Sequence, residues 1–388
     1  MKPLFATAFT LSSALGDGAV PAMEALRQER SGLRRNDFLG SKLDTWIGRV
    51  EGLPDDPSAC RAHQIAQAGL EADGFGAAVA RARDTLGAGR VGVFIGTSSS
   101  GMLQGELGYR NRQPGTGALP AGLSYRDSFN MFSPAEFVRA KLRLEGPASV
   151  VSTACSSGAK VFAAAHRAIE AGLCDAAVVG GVETLCFTTL HGFTSLELLS
   201  REPCRPCDAA RAGISLGEGA AFALLEKRDS AGECLALLGY GESADAHHMS
   251  TPHPQGLGAA LAMRAALERA GIGADDIDYV NLHGTGTRNN DAAEDAAIFS
   301  VFGDRVACSG TKGWTGHTLG AAGAIEAVLT LLCLRHGYAP GTLNTRELDA
   351  GIKSNVLLKG YETPLRHAMS NSFGFGGSNC SLVFGRAR

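Results

Sequence analysis

The chain has 388 residues, of which 45% are hydrophobic and 19% charged, a profile typical of a soluble globular protein with two domains of middling size or one large layered domain. A net charge of −3 and the lack of a strongly basic stretch argue against bulk nucleic-acid binding. Ten cysteines without regular spacing do not suggest a disulfide framework, so we expect a reducing, cytoplasmic location.

The first predicted element is an N-terminal strand. Residues 4–11 form a short apolar run that is followed by Gly16-Asp17-Gly18, which favours a strand ending in a turn over a cleaved signal peptide. No apolar run approaches the ~20 residues of a membrane span. The remaining elements predicted in the first half are strands at 91–96, 150–152, 176–179 and 220–225, with a slim, Ala-rich helix at 156–171.

The second half shows the same alternation of strands and helices. Its predicted strands are 234–238, 278–282, 306–309 and 378–384, and its predicted helices are 258–270, one that starts near Asp291, and a slim one at 318–334. Strands that alternate with helices predict a layered α/β fold.

The two halves also resemble each other in detail. A strand, a turn and a slim Ala/Gly helix surround Cys155 in the first half and His317 in the second. This weak repeat predicts two similar units, 1–230 and 231–388, that join near 227–232. Their slim helices would pack back to back, which would bring Cys155 and His317 together at neighbouring helix starts.

Cys155 lies where a predicted strand ends and a helix begins. Such a turn exposes a nucleophile, and the N–H groups of a helix start favour the thiolate, lower its pKa and can hold an oxyanion. Most cysteines, however, are buried and inert. On this context alone, the nucleophilic and the structural interpretations are equally supported.

Two histidines occupy comparable positions. His283 ends a strand and opens a loop of small and hydroxyl residues, and His317 lies at a helix start, where the helix dipole disfavours imidazolium. Each alone is more typical of a structural residue, but two histidines flanked by glycines at such positions favour a catalytic role.

Together these segments resemble the elongating β-ketoacyl-acyl carrier protein synthases over nearly the whole chain. The resemblance rests on the Cys motif at 153–158, the first His motif at 283–287, Lys312 with His317 and the small residues 320–323, and the Phe-Gly loop at 371–379. It implies the thiolase fold, with duplicated α/β halves in an αβαβα arrangement. Initiating ketosynthases carry Asn in place of His317 and thiolases use a second Cys, so the resemblance is to an elongating enzyme.

The resemblance also implies the reaction. Cys155 would carry an acyl chain taken from an acyl carrier protein, and His283 and His317 would stabilise the enolate that malonyl-carrier forms on losing CO₂. The enolate carbon would then attack the acyl group in a Claisen condensation. Decarboxylation supplies the carbanion, so no metal or redox cofactor is expected.

Other residues receive supporting roles from the same resemblance. Lys312 would support His317 and pair with Glu326. The backbone N–H groups of Cys155 and Phe375 would form the oxyanion hole. Further matches are a gate at Gly374 and Asp245, and pantetheine contacts at Thr285 and Thr287.

The expected partners are an acyl carrier protein and a second ketosynthase-like subunit. Carrier proteins are acidic, and Arg61 and Arg205 match basic docking positions of the family. The family is dimeric, so the chain would form a homodimer or a heterodimer with an inactive chain-length-factor-like homologue. Two alternatives stay open: a non-catalytic partner subunit, and a thiolase-like enzyme that uses coenzyme A thioesters.

Several features depart from the family pattern. Gly105 lies approximately where relatives place a bulky residue at the end of the acyl tunnel, which suggests a long or rigid chain in a polyene, aryl-polyene or polyketide pathway; it could also be a helix irregularity. Ala212 and Ile214 replace an acid and Phe, which weakens assignment to housekeeping fatty-acid synthesis. Two groups have the residue types of metal ligands, but we interpret neither as a metal site. They are His247, His248 and His253, and the Cys-x-x-Cys pair Cys204 and Cys207.

Overall fold

A computed structural model describes residues 1–54, 59–227 and 235–386. The strands β1 to β17 are, in chain order, Leu4–Ser13, Gly16–Asp17, Leu33–Arg35, Trp46–Gly48, Val91–Gly96, Ala148–Val151, Ala176–Glu183, Leu216–Gly217, Gly219–Glu226, Leu235–Ala244, Tyr279–Leu282, Ala307–Gly310, Tyr338–Ala339, Asn355–Val356, Tyr361–Glu362, His367–Gly374 and Ser378–Arg386. The helices α1 to α11 are Ala19–Arg27, Arg61–Glu71, Phe75–Leu86, Met102–Arg110, Ser133–Lys141, Ser157–Glu170, Phe187–Ser195, Leu257–Ala270, Arg288–Phe302, Lys312–Thr315 and Ala322–His336.

The two halves repeat one strand order. It is β1-β9-β7-β5-β6 in the first half and β10-β17-β16-β11-β12 in the second. In both, the fourth strand runs parallel to its two neighbours and the other pairs are antiparallel. A short antiparallel pairing of β1 with β10 joins the halves. This matching order confirms the predicted duplication.

Helices α6 and α11 lie back to back between the two halves of the sheet. A Cβ on Gly158 would lie 2.7 Å from the backbone N of Ala324, and one on Gly323 would lie 2.5 Å from the backbone N of Ala159. Only glycine permits this approach, so the slim surfaces are a packing requirement. Helices α2, α3 and α5 cover the first half of the sheet and α8 and α9 the second, which completes the αβαβα layers.

Most predicted elements are present, but their limits differ. Strand β10 extends to Ala244, well past its predicted end, and α9 starts at Arg288 rather than near Asp291. The predicted helix at 318–334 is a 3₁₀ turn, Leu319–Ala321, followed by α11. The predicted join at 227–232 lies, apart from Lys227, outside the described residues, as does Cys234 at the start of a predicted strand.

Among the described residues, one helical segment is long and apolar enough to cross a membrane by length and composition, which corrects the expectation that no apolar run approaches that length. It covers Leu319–His336, and 89% of it is buried inside the protein. The segment includes α11, the central helix of the core, and a mostly buried core helix has the same apolar character as a span.

Candidate active site

Cys155 lies in the turn between β6 and α6, as predicted. The residue before it, Ala154, has φ +52°, in the left-handed region that non-glycine residues rarely adopt. The backbone N–H of Ser156 donates to the Thr153 carbonyl at 3.3 Å, and that of Ser157 to the Ala154 carbonyl at 3.2 Å. These bonds fix a tight turn that places the thiol, only 6% exposed, at the edge of the sheet.

The structure brings both predicted histidines to this thiol. The ring centroids of His283 and His317 are 5.3 Å apart and the rings are nearly perpendicular. The Sγ atom of Cys155 and one ring nitrogen from each histidine all lie within 4.8 Å of one another. His283 follows β11, and His317 follows β12 and α10, so three separate chain segments form one cluster.

Hydrogen bonds on the far side of each imidazole fix its tautomer. The backbone N–H of Leu319 donates to His317 Nδ1 at 3.2 Å. Lys312 Nζ lies 3.3 Å from His283 Nδ1, and an ammonium can only donate. Both Nδ1 atoms are therefore acceptors, so in the neutral rings each Nε2 carries the proton and is the donor left for the cluster.

Burial keeps both imidazoles neutral. It lowers the pKa of His283 and of His317 well below the usual range, and the charge of Lys312 acts in the same direction. For Cys155 the expected direction was wrong: burial raises the pKa of its thiol to about 11. The Lys312 charge and the Phe375 N–H lower the thiol pKa only in part, so the resting residue is a neutral thiol.

Lys312 is fully buried and is bonded on several sides. Its Nζ lies 2.5 Å from Glu326 Oε1, the pairing that the family resemblance implies, and it also donates to the His283 carbonyl. Burial raises the pKa of Glu326 to about 7, and the nearby ammonium opposes this. The Lys312–Glu326 pair holds His283 against helix α11.

The predicted gate consists of two loops that are bonded together. The backbone N–H of Asp245 donates to the Gly377 carbonyl at 2.9 Å, and its carboxylate accepts from Asn379 Nδ2 at 2.7 Å. A Cβ on Gly374 would lie 2.7 Å from the Thr153 carbonyl, so only glycine fits against the Cys155 turn. The Phe375 N–H is thereby held beside the thiol.

A cavity of about 490 Å³ connects this cluster with the surface. Its wall includes Cys155, both histidines and Phe375, together with the predicted pantetheine residues Thr285 and Thr287, whose hydroxyls are 2.9 Å apart. A long, narrow substrate arm with hydrogen-bonding groups would fit such a passage, because the reacting atoms are buried at its end.

Comparisons with known proteins agree with this geometry. Residues 47–231 match the model of the β-ketoacyl synthase N-terminal domain, and residues 235–346 match that of the C-terminal domain. The chain belongs to the β-ketoacyl synthase family. It is a condensing enzyme, with the thiolase fold of that family.

Two curated relatives and one solved structure illustrate the similarity. The chain is 42% identical to the mitochondrial 3-oxoacyl-[acyl-carrier-protein] synthase of Arabidopsis thaliana, over 64% of this chain and 58% of that protein. It is 39% identical to 3-oxoacyl-[acyl-carrier-protein] synthase 2 of Rhizobium meliloti, over 76% and 74%. A Xenorhabdus doucetiae ketosynthase, ApeO, solved in complex with its chain length factor ApeC, superposes with a TM-score of 0.90 at 36% identity, over 100% of this chain and 98% of that chain.

The carrier-docking role that the family resemblance gives to Arg61 is wrong. Arg61 is buried, with 4% exposure, and its guanidinium lies 2.5 Å from the fully buried Glu218. A buried charge needs such a partner, so Arg61 is held by Glu218 in the interior and is not available to a carrier protein. Arg205 keeps a side chain that is 22% exposed, 3.8 Å from Asp208.

The space expected beside Gly105 is filled. Gly105 is buried in α4, is absent from the cavity wall, and a Cβ there would meet the ring of Phe129 at 3.3 Å. The missing side chain is thus replaced by an aromatic ring of the same chain. By contrast, Ala212 and Ile214 lie in the cavity wall.

The weaker ligand candidates do not form a metal-type cluster. In the described part of the chain, only Cys155, His283 and His317 place three ligand atoms close enough to share an ion. His248 Nδ1 accepts from the backbone N–H groups of Ser250 and Thr251, so it stabilises its own loop.

Two buried carboxylates beside the site were missed by the sequence reasoning. Glu183, on β7, accepts from the backbone N–H groups of Ser98, Ser99 and Gly320. These bonds tie the 3₁₀ turn before α11 to the first half of the chain. Glu294, on α9, accepts from the backbone N–H groups of His283 and Gly284 at 2.7 and 2.8 Å, and burial raises its pKa to about 7. Glu294 stands among the alanines 292, 293, 296 and 297, and an acidic residue in such a small, apolar stretch is a signal that could have identified it.

Proposed function

We propose that the chain carries out decarboxylative condensation of malonyl-carrier with an acyl group on Cys155, to give a β-ketoacyl-carrier. The observation that carries this proposal is the convergence of the Cys155 sulfur and one ring nitrogen from each of the two histidines within 4.8 Å, in the wall of an open cavity. A nucleophile and two fixed donors match the needs of acyl transfer followed by enolate formation.

The first step is acyl transfer. The sulfur of Cys155 attacks the thioester carbonyl of an acyl-carrier, and the N–H groups of Cys155 and Phe375 hold the oxyanion. The C–S bond to the carrier then breaks, and the proton of the Cys155 thiol leaves with the carrier thiol. The raised thiol pKa means that deprotonation accompanies attack, because little free thiolate is present beforehand.

The second step forms the new carbon–carbon bond. The bond between the malonyl carboxylate and its α-carbon breaks, CO₂ leaves, and the electron pair becomes an enolate whose oxygen accepts hydrogen bonds from His283 and His317. The enolate carbon attacks the acyl-Cys155 carbonyl, and the Cys155 sulfur leaves and takes up a proton. Because decarboxylation supplies the carbanion, the proposed route needs no metal or redox cofactor.

Product analysis tests the proposal. The enzyme is incubated with malonyl-carrier and a panel of acyl-carriers, and carrier-bound products are read by mass spectrometry. A β-ketoacyl-carrier two carbons longer than the primer is expected. Two outcomes would replace the proposal: a Cys155 that is not labelled by acyl thioesters indicates a non-catalytic subunit, and equal rates with coenzyme A thioesters indicate a thiolase-like enzyme.

We further propose that an acidic carrier protein docks near Arg205, at the partly exposed side chain that remains after Arg61 is excluded. Arg205→Glu is expected to raise KM for acyl-carrier. Its rate with a small pantetheine thioester, which needs no docking, should stay unchanged. An unchanged KM for acyl-carrier would rule out this docking position.

A second subunit is proposed on the edge strand β6. Among the described residues this strand pairs only with β5, and its residues Ala148–Val151 are half-exposed. The Xenorhabdus doucetiae ketosynthase is described with a chain length factor, which supports a heterodimer as the alternative to a homodimer. Mass measurement by light scattering, with the chain alone, separates the two: a lone monomer favours the heterodimer.

A specialised polyene, aryl-polyene or polyketide pathway stays a proposal, now supported by Ala212 and Ile214 in the cavity wall rather than by space at Gly105. Comparing rates with short saturated and long unsaturated acyl-carriers tests it, and a preference for saturated chains would reject it. A cytoplasmic location is likewise proposed, since the cysteines of the described residues are free thiols.

A further inference from the structure

The catalytic cluster has the ligand set of a soft-metal site. A thiol sulfur and two imidazole nitrogens lie within 4.8 Å of one another and are reached through the 490 Å³ cavity. Zn²⁺ is typically bound by such sulfur and nitrogen ligands, with an open position left for water. A reactive thiol flanked by two histidines is therefore exposed to metal poisoning unless some contact opposes it.

The hydrogen bonds behind the histidines are the reverse of those in a metal site. A metal-binding His donates its second ring N–H to an acceptor such as a carboxylate or a carbonyl. Here Leu319 N–H and the Lys312 ammonium are donors, and each faces an Nδ1 atom. Each Nε2 must then keep its proton, and a protonated nitrogen has no lone pair for a metal.

We propose that Lys312 is a positioning residue that withholds this cluster from soft divalent metals. By donating to His283 Nδ1 it holds the ring in the tautomer whose Nε2 is a donor toward the cavity. The proposal depends on where the three side chains lie and not on the reaction, so metal binding and condensation are measured separately. Failure of one does not imply failure of the other.

Glu326 makes the effect of removing Lys312 specific. Lys312 Nζ lies 2.5 Å from Glu326 Oε1 and 3.3 Å from His283 Nδ1, so it stands between a carboxylate and the ring. In Lys312→Met the carboxylate can accept from Nδ1–H, directly or through one water, as in a metal site. His317 stays locked by the backbone of Leu319, so we expect Cys155 and His283 to be the ligands.

The test titrates Co²⁺ and Zn²⁺ into wild type, Lys312→Met, and two double variants that add Glu326→Gln or Cys155→Ala. Lys312→Met is expected to bind Zn²⁺ at least about tenfold tighter than wild type, the usual size of such an outer-contact effect. The Glu326→Gln double variant should lose most of this gain, and the Cys155→Ala double variant should lose the cobalt–thiolate absorption band. Equal affinity in wild type and Lys312→Met, or no binding by either, would overturn the proposal.

A second measurement needs no folded variant of Lys312. Nitrogen-15 NMR of wild type with ring-labelled histidine distinguishes a protonated from an unprotonated Nδ1, and His283→Asn and His317→Asn assign the two signals. Both residues are expected to show a protonated Nε2 and a bare Nδ1. A protonated Nδ1 at His283 would refute the role of Lys312.

Discussion

The turns that carry Cys155 and His317 occupy the same place in the two halves of the molecule, yet the chain uses them differently. In the first half, Cys155 lies four residues after β6 and two before α6. In the second, the one-turn helix α10, which begins with Lys312, is inserted between β12 and His317. Each turn has one non-glycine residue in the left-handed region, Ala154 before the cysteine and Leu319 after the histidine.

The difference lies in what the backbone N–H groups do. Beside Cys155, the N–H of Phe375 from the gate loop faces the reacting sulfur, where it can hold an oxyanion. Around His317 the N–H of Leu319 binds the far ring nitrogen and fixes the tautomer. The turn in the first half thus leaves the Cys155 side chain free to gain and lose an acyl group. The turn in the second half instead holds the His317 ring as a fixed hydrogen-bond donor.

The largest expected effect comes from removing the side chain that reacts. Cys155→Ala should abolish condensation, a loss of more than about 10⁴-fold, as is usual for a nucleophile. Because the two histidines remain, decarboxylation of malonyl-carrier should continue, which CO₂ release measures. Loss of both activities would show that the halves do not work separately.

Removing the fixed donor should give the opposite pattern. His317→Ala is expected to slow decarboxylation about 10²–10³-fold, the usual cost of one oxyanion donor. Acyl transfer to Cys155, read by intact-protein mass spectrometry, should persist. His317→Gln, which keeps an N–H donor, is the matched control and should retain more decarboxylation than His317→Ala; equal losses in both would contradict the role as a donor.

The thiol pKa gives a smaller, pH-dependent effect. With a pKa of about 11 instead of 9.0, Cys155 holds about 100-fold less thiolate at pH 8 than an ordinary thiol. Its rate of alkylation by iodoacetamide should therefore rise about tenfold per pH unit from pH 8 and level off only near pH 11. A plateau below pH 8 would mean that the helix start and Lys312 outweigh burial.

The raised pKa of the Cys155 thiol also makes the free energy of unfolding depend on pH. The thiol pKa is raised in the folded state, so its contribution is complete below pH 9 and is lost as pH rises toward 11. The two histidines act at the other end of the scale. Because their folded pKa values are lowered, stability falls as pH drops below about 6.5, where the unfolded chain takes up protons that the buried rings do not.

Local patterns in the sequence predicted well the strands, turns and helices that carry this site. Strand ends, glycine-rich helix starts and the repeat placed Cys155 beside His317, since such features depend on near neighbours in the chain. The resemblance to a family added the roles of Lys312 and the gate.

What could not be predicted depends on partners distant in sequence. Arg61 lies 157 residues from Glu218, and nothing local shows that it is buried. Glu183 lies 137 residues from Gly320, and Phe129 fills the space at Gly105 from a separate segment. The thiol pKa was predicted in the wrong direction because a helix start is visible in sequence, whereas the extent of burial is not.

The smallest expected effect tests the strain in the two turns. Ala154→Gly removes a Cβ from a residue at φ +52° and should stabilise the protein by about 1 kcal/mol, measured as a higher urea midpoint at unchanged slope. Leu319→Gly relieves the same strain but deletes a buried side chain packed in an apolar cluster, so its net effect should be destabilising. If the strain at Ala154 also orients the sulfur, Ala154→Gly would raise the activation free energy of acyl transfer by about 1 kcal/mol and slow this step about fivefold. A destabilised Ala154→Gly would show that the turn before Cys155 is not strained, and the two halves would then differ in energy as well as in use.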